Sequence, residues 1–337
     1  MLKSRIVFGD RRFLLAAAVV CSALVGGACL DVAAVQADAG DLRITQDNAT
    51  VSIFDGERPV LRYRYAGVPM KPYADRLLSP AGVQVLRDSP HDHKHHHGLM
   101  FALAVDGVNF WEEHGANSGK ELHKGLRDVK AMVHDGTGRA GFVQQLDWVG
   151  PNSDKPLLIE RREIAVLKAD ELGATLVEWR SSLQTPPGKE TMTLTGHHYF
   201  GLGLRFVESM DRDGRFFNSA ERPGEVVKGD KQLPPVAWCA FTAKADGKPV
   251  TVALFDHPSN PRHPARMFTM STPFAYLSAT LNLWKEPLAV KAGRPLDLRY
   301  GIALWDGEAD KATVEKLYQR WLRGALSSSH PKLSAAP

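Results

Sequence analysis

Cysteine is scarce in this 337-residue chain, which has only Cys21, Cys29 and Cys239. The first two fall in a segment that reads as a removable leader, so Cys239 would stand alone in the mature chain and no intramolecular disulfide could form. Stability must then come from a core, and roughly 300 residues are enough to bury one. A surplus of one charge is also missing, because 42 Lys and Arg face 38 Asp and Glu for a formal +4. That balance gives no electrostatic pull toward nucleic acid. Past the N-terminal segment no apolar run approaches the ~20 residues of a membrane helix, so no span is expected in the mature chain. A strand–helix–strand rhythm is lacking as well, which argues against Rossmann or TIM architecture and leaves no expectation of a nucleotide cofactor.

What the chain does have begins with Lys3, Arg5, Arg11 and Arg12 ahead of the apolar run "FLLAAAVVCSALVGGACL" and then small residues. This predicts a secretory signal over residues 1–37, cleaved after "AVQA" before Asp38, and a periplasmic or secreted protein. Arg11-Arg12 followed by Phe-Leu-Leu also resembles a twin-arginine signal, which exports folded proteins. Cys29 follows "VGGA", with Gly where a lipoprotein signal has Leu, so a lipid anchor fits less well.

From Asp41 onward, short alternating runs are separated by Gly, Pro, Asn and Asp. Hairpin signals stand at Asp55-Gly56, Asp106-Gly107, Asp170 to Gly173 and Asp246-Gly247. The pattern predicts an all-β fold, a large antiparallel β-sandwich over residues 38–326 as one domain, followed by a short flexible tail over 327–337. One helix is expected near the end, where Val314, Leu317, Tyr318, Trp321 and Leu322 recur at helical spacing, Asp310 can cap the start and Gly324 can end it.

The stretch "DSPHDHKHHHGLMFAL" holds five of the thirteen histidines, His91, His93, His95, His96 and His97. Pro90 and the charged run make it a loop, and Gly98 opens a buried strand. Were the loop extended, His91, His93, His95 and His97 would share one face and His96 the other. Two or three of these imidazoles, with Asp92 or a distant His or Glu, could hold a divalent metal with one position open to water. Alternatively a His acts directly as acid or base, its other nitrogen fixed by a carboxylate. A solvated polar loop is the plainer alternative. A second cluster, "FDHPSNPRHP", sets His257, Asn260, Arg262 and His263 between three prolines, which suits hydrogen bonding to a polyol or carboxylate and suits a structural turn equally. Trp111 beside Glu112, Trp284 near Glu286, and His198 after His197 each sit at a strand end, the first two combining an aromatic ring with a carboxylate as sugar sites do.

Residues 77–113, with "RDSPHDHKHHHGLMFALAVDGVNFWEE", resemble the block that marks the family labelled methane oxygenase PmoA. "FDHPSNPRHP", "NLWKEPLAVKAGRPLDLRYGIALWDG" and the terminal helix resemble its C-terminal part. Asp92, His93, His95, His96 and Gly98 fall on the first motif, and His257, Asn260, Arg262 and His263 on the second, while His97 occupies a position where members vary. The resemblance implies a β-supersandwich like that of galactose-mutarotase-type proteins, and a setting among bacterial sugar-degrading enzymes.

The leading expectation is an exported carbohydrate-active enzyme, a hydrolase, lyase or epimerase acting on a small sugar or oxidised-sugar glycoside. Asp92, His93, His95 and His96 would be catalytic, with His93, His95 and His96 as the metal ligands if a metal takes part. Trp111, Glu112, His198, His257, Asn260, Arg262, His263, Trp284 and Glu286 would contact substrate. Activity would then fall as pH drops through about 6. A non-catalytic carbohydrate-binding protein is the first alternative. A copper-dependent oxidase or oxygenase, as the label suggests, is the second, although Asp38 rather than His would head the mature chain. Substrate, metal and oligomeric state are not legible.

Overall fold

The computed structural model describes residues 34–39, 41–134 and 137–323, of which 34–39 and His134 are described as backbone only. Residues 1–33, most of the leader expected over 1–37, and the 327–337 tail lie outside the described residues, as does Gly324, while residues 34–37 of that leader belong to the first strand. Every strand pairing within the three sheets is antiparallel. The largest sheet has 11 strands in the order Ala34–Ala39, Leu42–Gln46, Thr50–Asp55, Arg58–Arg64, Tyr73–Leu77, Leu99–Ala102, Gly201–Arg205, Tyr276–Thr280, Arg266–Met270, Lys231–Leu233, Glu225–Lys228. A second sheet of 8 strands runs from Arg215–Asn218 to Lys120–His134, and a small one of 4 includes Thr191–Thr195 and Leu288–Lys291. All four hairpin signals lie at turns between paired strands. The all-β sandwich with one C-terminal helix is therefore the fold of the described chain.

The two large sheets bury their facing apolar sides in one core, with Ile44, Ile53, Leu61 and Leu99 from the first meeting Phe142, Ile164, Val177 and Ile302 from the second. Each such side chain contributes about 1.5–3 kcal/mol through burial. Among them lies a polar key. Arg162 is fully buried and donates to Glu160, Glu121, the Tyr63 hydroxyl and the Pro72 carbonyl. Tyr63 in turn donates to Gln144 across the sheets at 2.6 Å. Every strong donor and acceptor there depends on its partners, because an unpaired charge in a core is costly.

The helix α1, Lys311–Leu322, begins at Asp310, whose carboxylate accepts from the Thr313 N–H at 2.8 Å. It lays Val314, Leu317, Tyr318 and Trp321 on the outer face of the second sheet. That face presents Ala240, Ala253 and Ala303 among Trp238, Phe255 and Trp305, so small residues make room for the helix.

The middle of the largest sheet positions the site. Leu99–Ala102, Gly201–Arg205, Tyr276–Thr280 and Arg266–Met270 are neighbours there although distant in sequence. They bring together the histidine loop, the "GHHYF" segment and two aromatic strands.

Candidate active site

Pro90 and the residues after it fold into two successive turns, with His93 N donating to Pro90 O and His96 N to His93 O. The loop is therefore not extended, and the expected alternation of faces is replaced. His93, His95 and His96 come together, with ring centroids 4.5 to 5.9 Å apart. His91 and Asp92 are exposed. Gly98 ends the loop at φ +43°, where a β-carbon would run into the Ala74 carbonyl, so this position demands glycine.

The three imidazoles line a cavity of about 300 Å³ with Glu112, Tyr199, Lys231, Phe268, Met270, Pro273, Phe274 and Tyr276. Arg205 lies beneath Phe274, its guanidinium carbon 4.0 Å from the ring centre. His96 and Tyr276 stack at 5.6 Å, and both are almost fully buried. Gly203 leaves space for Tyr276, since a side chain there would strike its hydroxyl and meet Trp111. Neither the Tyr276 hydroxyl nor Nδ1 of His96 has a protein partner. Nδ1 of His93 also lacks one, although Asp92 Oδ2 stands 3.1 Å away out of alignment. Buried polar atoms are rarely left so, and such atoms at a cavity mark where a ligand group can bond.

Burial holds the His95 imidazole down to about 4, helped by Lys71 and His93. Burial likewise takes His96 to about 2, helped by His95 and His93. Both rings are neutral at pH 7, His95 with Nδ1 3.4 Å from Glu112 Oε2. Separations of that size in ligand-free sites commonly tighten on binding. Neutral imidazoles are the right donors for a divalent cation. Among the described residues no group of three or more His, Cys, Asp or Glu side chains could hold a metal ion.

His97, which the motif left as a variable position, is the best-anchored imidazole of the loop. Its Nδ1 lies 2.7 Å from Asp88 and its Nε2 3.0 Å from Glu113, so both nitrogens donate and the ring is a cation. Burial opposes that charge, and the two carboxylates outweigh it, raising the His97 pKa. Lys71, fully buried, adds a 2.7 Å bond to Glu113, and Tyr73 stacks on His97 at 4.3 Å. The pairs Glu112–His95 and Glu113–His97 thus tie two loops together at adjacent residues. The doubled carboxylate in "WEE" was the available signal for Glu113. Nothing local in the sequence marked Lys71, Tyr199, Lys231, Phe268 or Tyr276.

The other expected contacts divide. Trp111 is fully buried under the cavity floor, stacked on Phe200 at 5.1 Å, and so is a support rather than the expected wall. His198 stands beside the cavity, its ring 5.4 Å from Phe268 and 5.9 Å from Trp284. None of His257, Asn260, Arg262, His263 and Glu286 lines the cavity. His257 accepts from Arg299 at Nε2, and its Nδ1 accepts from the Ser259 N–H and lies 2.7 Å from the Ser259 hydroxyl. Asn260 bonds Asp256 and both backbone groups of Arg299. His263 lies 2.6 Å from Asp256, and Arg262 donates to the carbonyls of Leu281, Glu286 and Pro287. The second motif is a brace whose polar atoms are used within the protein. Its link to the cavity is indirect, through the loop bearing Trp284 that Arg262 holds. Glu286 is exposed and caps that loop through Asn282.

No helix among the described residues is long and apolar enough to cross a membrane. No curated protein matches the chain in sequence. Among solved structures, the galactosidase domain of alpha-galactosidase-sucrose kinase, AgaSK, is 12% identical with a TM-score of 0.36, over 82% of this chain and 42% of that one. The chain thus spans less than half of that protein's length. The Slr1438 protein from Synechocystis sp. PCC 6803 is 8% identical with a TM-score of 0.34, over 82% of this chain and 96% of that one. HI1317 is 12% identical with a TM-score of 0.32, over 81% and 99% of the two chains. At these scores the fold rests on the chain's own sheets. Residues 50–319 match a family of unknown function, DUF6807, and the chain belongs to that family.

Proposed function

We propose that the cavity binds a sugar ring and that His95, oriented by Glu112, moves a proton on it. The observation that carries this is the convergence, in one cavity of about 300 Å³, of three imidazoles, a carboxylate and an ammonium with four aromatic rings. That size sits at the lower end of small-ligand sites, about 300–1,000 Å³. Tyr199, Phe268, Phe274 and Tyr276 suit the C–H faces of a pyranose, and the unpartnered Tyr276 hydroxyl and His96 Nδ1 suit its oxygens. Neutral His95 can take a proton from a hydroxyl, or from the carbon beside a carbonyl in an oxidised sugar. The C–H electrons then form an enolate that the Lys231 ammonium offsets, and Glu112 steadies the imidazolium.

The test is turnover by the purified protein on a panel of glycosides and their oxidised (keto) forms, with His95→Ala and Glu112→Gln as controls, after EDTA treatment and elemental analysis for bound metal. Activity that survives chelation and is lost in both variants supports the reading. Sugar affinity without turnover, unchanged in His95→Ala, would identify a binding protein instead. Stoichiometric metal with activity lost on chelation would instead assign His93, His95 and His96 as metal ligands, and copper with reductant-dependent oxygen uptake would favour the oxygenase label. Residues 1–37 are proposed as an export signal, which N-terminal sequencing of exported protein tests.

A further inference from the structure

We infer that Trp284 and its loop form a second sugar subsite beside the cavity, so that the ligand is a neutral glycoside of at least two units. This rests on the reading of the cavity as a sugar site. Large apolar side chains exposed to solvent number three among the described residues, Val133, Val226 and Trp284, and Trp284 is the aromatic one, 38% exposed. A lone exposed Trp needs no explanation by itself, but the placement of this one does. Its ring stands 5.9 Å from that of His198, which lies 5.4 Å from Phe268 and 5.1 Å from Tyr199. Phe268 and Tyr199 are walls of the cavity, so the aromatic surface runs unbroken from Tyr276 to the exposed indole.

The loop is also made rigid. Three of its carbonyls, those of Leu281, Glu286 and Pro287, are held by the single guanidinium of Arg262. The backbone N–H groups of Lys285 and Glu286 both close on the Asn282 carbonyl. Nearly buried Asn282 keeps its Oδ1 without a protein partner. A platform fixed before binding spends little entropy when a ring packs on it. Beside the indole, the Lys285 ammonium lies 4.7 Å from the ring centre and is bonded to Glu225 at 2.7 and 2.9 Å. Paired in this way, the two charges cancel and can bond hydroxyls, which favours a neutral polyol over a uronate.

Isothermal titration of the full chain with cellobiose, maltose and lactose, against glucose and galactose, tests the inference. The expected result is a disaccharide that binds at least about tenfold more tightly than its component monosaccharide. Trp284→Ala should remove that advantage and leave the monosaccharide's affinity unchanged, Trp284→Phe should keep part of it, and Arg262→Lys should weaken the disaccharide alone. Melting curves of all variants check folding. Equal loss for both ligands, or loss for neither, overturns the second subsite while leaving the cavity reading intact. Binding of no sugar by the wild-type chain overturns both.

Discussion

The two histidine-bearing loops look alike in composition and behave as opposites. In the loop over residues 88–98, Nδ1 of His93 and of His96 are buried without a protein partner, on rings that line a cavity shared with Glu112. In the loop over residues 256–264, His257, Asn260, Arg262 and the Asp256–His263 pair spend their polar atoms on Arg299, Ser259, Ala265 and three carbonyls. Polar side chains that are satisfied internally hold a fold, whereas those left unsatisfied beside a cavity await something else. Spacing in sequence distinguishes the two poorly. Accounting for hydrogen bonds distinguishes them well.

Four substitutions and one titration would sharpen or break that contrast. The largest effect is expected from His95→Ala, which should lower turnover by about 10²–10⁴ while leaving the melting temperature nearly unchanged. The same substitution at His263 should do the reverse, and a comparable loss of turnover there would break the contrast. Next, Asp256→Ala removes the acceptor of His263, Asn260 and the Ala265 N–H together. Denaturant unfolding should register a loss of about 1–3 kcal/mol per orphaned buried group, with sugar affinity in the cavity retained. Gly98→Ala comes third. Its φ of +43° and the nearby Ala74 carbonyl should make it cost more than about 1 kcal/mol, read again by denaturant, and loosen the first loop specifically.

The smallest effect is a shift in pH dependence. A free histidine titrates near 6.5, and His95 in the folded chain is held at about 4 by burial, Lys71 and His93. The base therefore stays neutral below pH 6, and the acid limb of kcat/KM should fall near 4 rather than near the 6 that an ordinary imidazole implies. For stability the sign follows from proton uptake. Below about 6.5 the unfolded chain gains a proton that folded His95 refuses, so this contribution is intact above 6.5 and is lost as pH falls toward 4. An acid limb at 6 or above would remove His95 as the base.

Much of the fold was legible because its signals are local. Gly at Asp-Gly turns, alternating strands and the Asp310 cap act within a few residues, and hairpins and helix followed from them. The cavity was legible only where short loops carry it, in His93, His95 and His96 on one and Glu112 on another. Its remaining walls come from strands made neighbours by long-range pairing, such as Tyr276 beside Arg205 and Phe268 beside Ser278. No periodicity within a segment encodes such pairing. Trp111 lies beneath the cavity rather than in its wall, because exposure is set by the partners of a strand end. His97 was set aside for the variability of its position, although two carboxylates distant in sequence hold it.

Buried Arg162 has a consequence for how this chain can change over time. Its guanidinium bonds Glu160, Glu121, Tyr63 and a backbone carbonyl at once. Exchanging the whole group for apolar side chains of similar volume would be nearly neutral, yet removing Arg162 or Glu160 alone strands a charge at a cost of about 3–5 kcal/mol. Routes of single substitutions out of the arrangement therefore pass through a deep fitness valley. The cluster acts as a ratchet, easy to inherit and hard to dismantle, and it should mark descent in relatives whose binding loops have diverged beyond recognition.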